Sequence, residues 1–140
     1  VFQLYLLTVL TNILAGHALA SGFLDTRFKR LSKHTSFAKN GLYRIILGTV
    51  SVLVGIINLF PNYPGDIAIL GDLLPSAGGI AGGILLWTNY IRSRKSVAQT
   101  KTAEVAEKIE KISVPYLNVI GLLLVLIGIL HAVFVQVSLL

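Results

Sequence analysis

The sequence predicts an all-α integral membrane protein: four transmembrane helices in a compact bundle, arranged as two parallel, pseudo-repeated helical hairpins. Three observations lead to this fold class. First, 54% of the 140 residues are hydrophobic and only 13% are charged, whereas a soluble domain carries about 25% charged residues. Second, four apolar segments are long enough to cross a hydrocarbon core about 30 Å thick, which takes ~20 helical residues. Third, all 12 Lys and Arg fall within residues 27–44 and 92–111, the connections that follow the first and third segments. The chain reads as a single domain, residues 1–140, with spans at 1–24, 42–60, 67–91 and 114–139 and basic connections at 25–41 and 92–113.

The first span opens directly on VFQLYLLTVL without a basic leader region. Ala18-Leu19-Ala20 resembles a signal-peptidase site, but RFKR follows within ten residues and holds that side in the cytoplasm, so the span is expected to be a retained helix. The connection DTRFKRLSKHTSFAKNG then mixes bases with Phe28, Leu31 and Phe37. It is expected to lie along the headgroups, with Arg27, Lys29, Arg30 and Lys33 as lipid contacts.

The second span carries Gly48 and Gly55 on one stripe with Asn58 nearby, and the next connection, PNYPGD, holds Asp66 and no base. The third span contains GDLLPSAGGIAGGILLW, with Gly78, Gly79, Gly82 and Gly83 in two overlapping GxxxG spacings. GGIAGG is not a phosphate cradle, because neither a preceding strand nor a GK[ST] or GxGxxG order accompanies it. On a helix it is a face for close backbone packing, and Asp72 falls within about 40° of that face. Arg92, Arg94 and Lys95 follow as further headgroup contacts.

The connection SVAQTKTAEVAEKIEKISVP reads as a short amphipathic helix. Val105, Ile109 and Ile112 recur at helical spacing, and Glu104/Lys108 and Glu107/Lys111 form i,i+4 pairs. It is either a partner-docking helix or a solvated connector with one apolar stripe. Pro115 marks the entry to the fourth span, where Gly121 and Gly128 form a packing stripe with His131 nearby.

An internal repeat underlies the two-hairpin arrangement. The second span reads Y43-x4-G48-x6-G55-x2-N58 and the fourth reads Y116-x4-G121-x6-G128-x2-H131. In the odd spans, Asn12 to Gly22 and Asp72 to Gly82 share a ten-residue spacing. Two hairpins in the same orientation imply a pseudo-two-fold axis along the membrane normal.

The string LYRIILGTVSVLVGIINLF resembles small four-helix bacterial membrane proteins of the DoxX-like kind, in which it would be expected in the first span and not the second. No function or site residue is carried over from that resemblance. The expected location is a bacterial inner membrane, with both ends outward and the basic connections cytoplasmic.

Charge and chemistry narrow the function classes. The net charge of +6 and pI near 9.8 follow from this topology, with added attraction to anionic headgroups, and call for no nucleic-acid partner. With no cysteine in the chain, it has no disulfide, thiolate metal site or iron–sulfur cluster. No Ser/His/Asp, HExxH or paired-carboxylate constellation appears, so the chain is expected not to be an enzyme. No metal or cofactor is expected either. His17 and His131 differ in depth by roughly 14 Å, too far to share one haem iron, and His34 reads as a surface residue.

What remains is an outward-side polar cluster of Asp72, His131 and Asn58, with Asn12 as a further candidate. It is either a proton-titrating or small-ion site, or a helix cap at Asp72 with an interhelical hydrogen bond from His131. The leading expectation is a non-catalytic accessory or scaffold subunit that forms a homo-oligomer or joins a larger membrane complex. The alternative is a small channel or transporter using the polar cluster. A lipid-, quinone- or pigment-binding module is the third reading, suggested by His17, Trp87 and the apolar spans.

Overall fold

A computed structural model describes residues 2–33, 36–60, 73–94 and 100–133, and within them the chain is all-helical. Helix α1 is Phe2–Arg27, followed by the short α2 (Lys29–Ser32) and a 3-10 turn at Ser36–Lys39. Helix α3 spans Gly41–Asn58 and α4 spans Leu73–Ser93. Helix α5 (Lys101–Ser113) passes through a 3-10 turn at Val114–Tyr116 into α6 (Leu117–Val133).

The helix ends are set by local chemistry. Asn40, in extended backbone, accepts the N–H of Leu42 at 3.0 Å and so starts α3. Thr100 does the same for α5 through the N–H of Ala103, at 3.3 Å. Pro115 lacks an N–H and tightens one turn. Val114 and Leu117 nevertheless keep right-handed helical backbone, so Lys101–Val133 runs on as 33 residues of helix.

Three helices are long and apolar enough to cross a membrane: Gln3–Arg27, Gly41–Asn58 and Lys101–Val133. Helix α4 is not among them. Its four glycines, with Ser76, Thr88 and Asn89, dilute its apolar character, and it packs against α1, α3, α5 and α6 at the centre of the bundle. The segment expected to begin this span, residues 67–72, lies outside the described residues.

Two antiparallel pairs, α1 with α6 and α3 with α4, make the most extensive contacts. Each is closed by glycines at backbone distance. A Cβ on Gly121 would come within 2.6 Å of the Gly16 carbonyl oxygen, and one on Gly83 within 2.6 Å of the Gly48 carbonyl oxygen. Farther along the same seams, a Cβ on Gly128 would meet Ile13 at 2.7 Å and the Val9 carbonyl at 3.2 Å, while one on Gly55 would meet the Ser76 carbonyl at 2.7 Å. Such spacing admits no side chain and brings the two backbones into van der Waals contact.

Between the pairs, Leu124 inserts against Gly78 and Gly82, next to Ala15. It joins a core with Ala18, Leu19, Leu47, Leu85 and Leu86. The outer faces are apolar as well, including Leu6 and Leu10 on α1, Ile46 and Leu53 on α3, and Leu123 and Leu126 on α6.

Charged contacts gather at one end. Lys39 pairs with Asp25 and Arg92 with Glu110, each within its own connection, and Arg44 reaching Asn89 and Gly41 lying against the Tyr90 ring bring the two connections to the same end of the bundle. The apolar stripe expected along Val105, Ile109 and Ile112 is divided by the packing. Ala106 and Ser113 are buried, Ile109 packs against the core, and Val105 and Ile112 face outward. The physical reason is the continuity of α5 with α6: the Gly121/Leu124/Gly128 contact fixes the rotation of the whole rod.

Candidate functional site: a polar stripe on the first helix

Residues 5, 8 and 12 lie along one side of α1 at helical spacing, and each bonds to a different helix. The Tyr5 hydroxyl donates to the His131 carbonyl of α6, and the two rings lie 4.6 Å apart between centroids. Asn58 of α3 donates its amide to the Thr8 hydroxyl, which in turn donates to the Leu4 carbonyl at 2.9 Å. Asn12 donates to the Thr8 carbonyl and to the Pro75 carbonyl of α4, both at 3.0 Å.

Asn12 is fully buried, and its Oδ1 finds no hydrogen-bond donor among the described residues. That oxygen lies over Gly78, where a Cβ would come within 2.9 Å of it. Gly78 is therefore the residue that makes room for the Asn12 amide. A second buried hydroxyl, Ser51, donates to the Gly79 carbonyl at 2.9 Å and ties α3 to α4.

Of the four residues expected to form an outward-side cluster, Asn12 lies on α1 within this stripe, and Asn58 and His131 meet it from α3 and α6. Each does so through its own partner, and α1 links them. Asp72 lies outside the described residues. His17 and His131 are not brought together: His17 stacks at 6.5 Å on Phe37, and His131 is beside Tyr5, twelve positions away along α1. Among the described residues, no group of three His, Asp or Glu could hold a metal ion.

Of the expected headgroup contacts, Lys95 lies outside the described residues. Arg27, Lys29, Arg30, Lys33 and Arg94 are exposed, and Arg94 stacks over the Tyr90 ring at 5.2 Å.

Arg44 has a role that its place in a basic run does not reveal. Its Nε donates to the Ala38 carbonyl at 2.8 Å and Nη1 to Asn89 at 3.2 Å, while Nη2 donates to the Ala18 carbonyl at 3.0 Å and to Ser21 at 3.2 Å. One guanidinium fork thereby joins α1, α3, α4 and the 3-10 turn through neutral acceptors. Tyr5 and Thr8 likewise carry the stripe without a sequence signal, since single hydroxyls are common on apolar helices.

The arrangement offers interhelical hydrogen bonds beside one imidazole. An open depression of about 260 Å³, lined by Ile45, Ile46, Thr49 and Val50, lies on the outer side of α3, apart from the polar stripe.

In comparison with known proteins, the model of a protein family of unknown function matches residues 1–131. No curated protein and no solved structure matches the chain.

Proposed function

The chain belongs to that family of unknown function, and we propose that it is a polytopic membrane protein acting as a non-catalytic accessory or scaffold subunit of a membrane assembly. The observation that carries this reading is how its side chains are used. Glycines close the helices on one another at backbone distance, the buried polar groups bond helix to helix, and wide apolar faces on α1, α3 and α6 remain turned outward. Such faces suit lipid or a neighbouring subunit.

In this reading the membrane is a bacterial inner membrane, the basic end is cytoplasmic, and both chain ends face outward. The test is purification in nanodiscs from cells at near-native expression. The reading predicts a homo-oligomer or a stable complex with another membrane protein; a monomer that copurifies with nothing would end it.

The two-hairpin repeat belongs to the same proposal and is supported by matching glycine contacts. Gly48 meets Gly83 and Trp87, and Gly121 meets Gly16 and Ala20; Gly55 meets Ser76 and Ile80, and Gly128 meets Val9 and Ile13. A shift of 73 (48 to 121, 55 to 128) relates α3 to α6, and a shift of 67 (16 to 83, 9 to 76) relates α1 to α4. The register of the odd helices is therefore 67 in this proposal, in place of the 60 that the Asn12/Asp72 spacing suggests.

A small channel or transporter is the second reading, favoured by one observation: the Asn12 oxygen is buried without a donor on a polar stripe between helices. Proton or small-solute flux into liposomes tests it. Flux that does not change in Asn12→Ala, Asn58→Ala, His131→Ala and Asp72→Asn would remove this version.

A further inference from the structure

The side of α5 that faces away from the bundle combines apolar and basic residues along one line. At about 100° per residue, Lys101, Val105, Lys108 and Ile112 fall within roughly 60° of one another. The line lies opposite Ala106, Glu110 and Ser113, which face α4. Val105 is 56% exposed and Ile112 74%. The same line continues along α6 as Val119, Leu123, Leu126 and Leu130, all exposed. The outer face is therefore one continuous stripe, apolar from Leu130 to Ile112 and alternating lysine with aliphatic residues from there to Lys101.

The change in character occurs at a depth fixed by the glycine seam. Gly16 and Gly121 touch, so they mark a common level. Arg27 lies eleven residues below Gly16, about 16 Å, and Lys108 thirteen residues below Gly121, about 20 Å. Two unrelated stretches of chain thus turn basic within about one helical turn of the same depth.

We propose that α5 is an anionic-lipid-binding element: Ile112 rests against the acyl boundary, Lys108 and Lys111 engage headgroup phosphates, and Val105 and Lys101 carry the stripe on through the headgroup layer. This rests on the reading that the chain spans a membrane. Two features favour lipid over a protein partner: the stripe is continuous with the outward apolar face of α6, and its lysines are complementary in charge to phosphate. Lysine, a compact charge on a flexible apolar stem, suits a fluid array of phosphates, with the stem lying along the apolar stripe and the ammonium reaching outward. The acids of α5 leave the lysines accessible: Glu110 is bonded by Arg92, Glu107 pairs with Lys111 at 3.1 Å while that lysine side chain stays 75% exposed, and Glu104, exposed at the edge of the stripe, stands one turn from Lys108.

The test uses the full chain in nanodiscs of phosphatidylcholine with about one-third phosphatidylglycerol. Lipids retained by the protein are counted by native mass spectrometry, for the wild type and for Lys101→Gln/Lys108→Gln/Lys111→Gln. The proposal predicts enrichment of phosphatidylglycerol that falls about tenfold in the triple variant. A fluorophore on Val105→Cys should also be quenched by lipids spin-labelled at the headgroup. Equal enrichment in both proteins overturns the proposal, and so does a label shielded from those lipids by a second copy or by another protein. Alkaline carbonate extraction separates the two levels of failure. Release of the protein from membranes overturns the membrane reading itself, whereas retention with unchanged enrichment overturns the lipid-binding role of α5 alone.

Discussion

At the scale of single residues, the glycines differ sharply in what they tolerate. Gly16→Ala and Gly121→Ala each push a methyl into the opposing backbone, where nothing flexible can yield. Each is expected to lower stability by about 1–3 kcal/mol, read from unfolding midpoints in detergent. Gly22 has nothing within 4 Å of a Cβ, so Gly22→Ala is expected to be neutral or mildly stabilising in the same assay. Arg44 gives a second residue-level prediction. Arg44→Lys keeps the charge but cannot reach four acceptors on two other helices and a turn, so it should lose about 2 kcal/mol and recover less than half of the Arg44→Ala defect. The sequence places Arg44 in a basic cluster because topology depends on how many charges lie on each side of the membrane. Which of those charges folds inward depends on acceptors at Ala18, Ser21 and Asn89, far away along the chain. Asn12 and Asn58 stand out in the sequence as polar residues in apolar spans, but their link through Thr8 does not, since a threonine hydroxyl usually bonds within its own helix.

At the scale of elements, the helices follow from apolar runs and caps that can be read in the chain. Asn40 and Thr100 lie immediately before α3 and α5 and cap them through their side chains. Thr100→Ala is expected to weaken the first turn of α5 by about 1 kcal/mol, seen as amide exchange roughly fivefold faster at residues 101–104 with α6 unchanged. Which side of α5 faces the bundle is not legible. Helical periodicity groups Val105, Ile109 and Ile112, but the rotation of that helix is set at Gly121 and Gly128, beyond Pro115. Helix α4 shows a related limit: its GxxxG spacings announce a packing face, whereas its central place depends on Ser76, Gly79, Gly82 and Leu86 being buried together.

For the whole molecule, the sequence supplies the four-helix count and the grouping of charge, and the contacts of Arg44 with Asn89 and of Gly41 with Tyr90 place both basic connections at one end. The absence of native cysteine makes this directly measurable. Single cysteines replacing Lys29 and Thr102 are expected to react with an impermeant maleimide from the same face of the membrane, and one replacing Asn62 from the opposite face. Labelling of positions 29 and 102 from opposite faces would contradict the shared basic end. The identity of the helix pairs is not legible in the sequence, because every long helix carries small residues and only their depth and facing select Gly16 for Gly121 and Gly48 for Gly83.

That choice of partners has a consequence for how the protein is made. Helices α3 and α4 are neighbours in the chain, so their seam can close as soon as both have left the ribosome. Helix α1 is synthesised before α3 and α4, yet its most extensive partner, α6, emerges after both. Until then Tyr5, Val9 and Gly16 lack that cover, and quality-control proteases and insertion factors meet α1 in its most exposed state. Truncation before residue 117 should therefore leave α1 the most protease-sensitive helix, with the α3/α4 pair already protected.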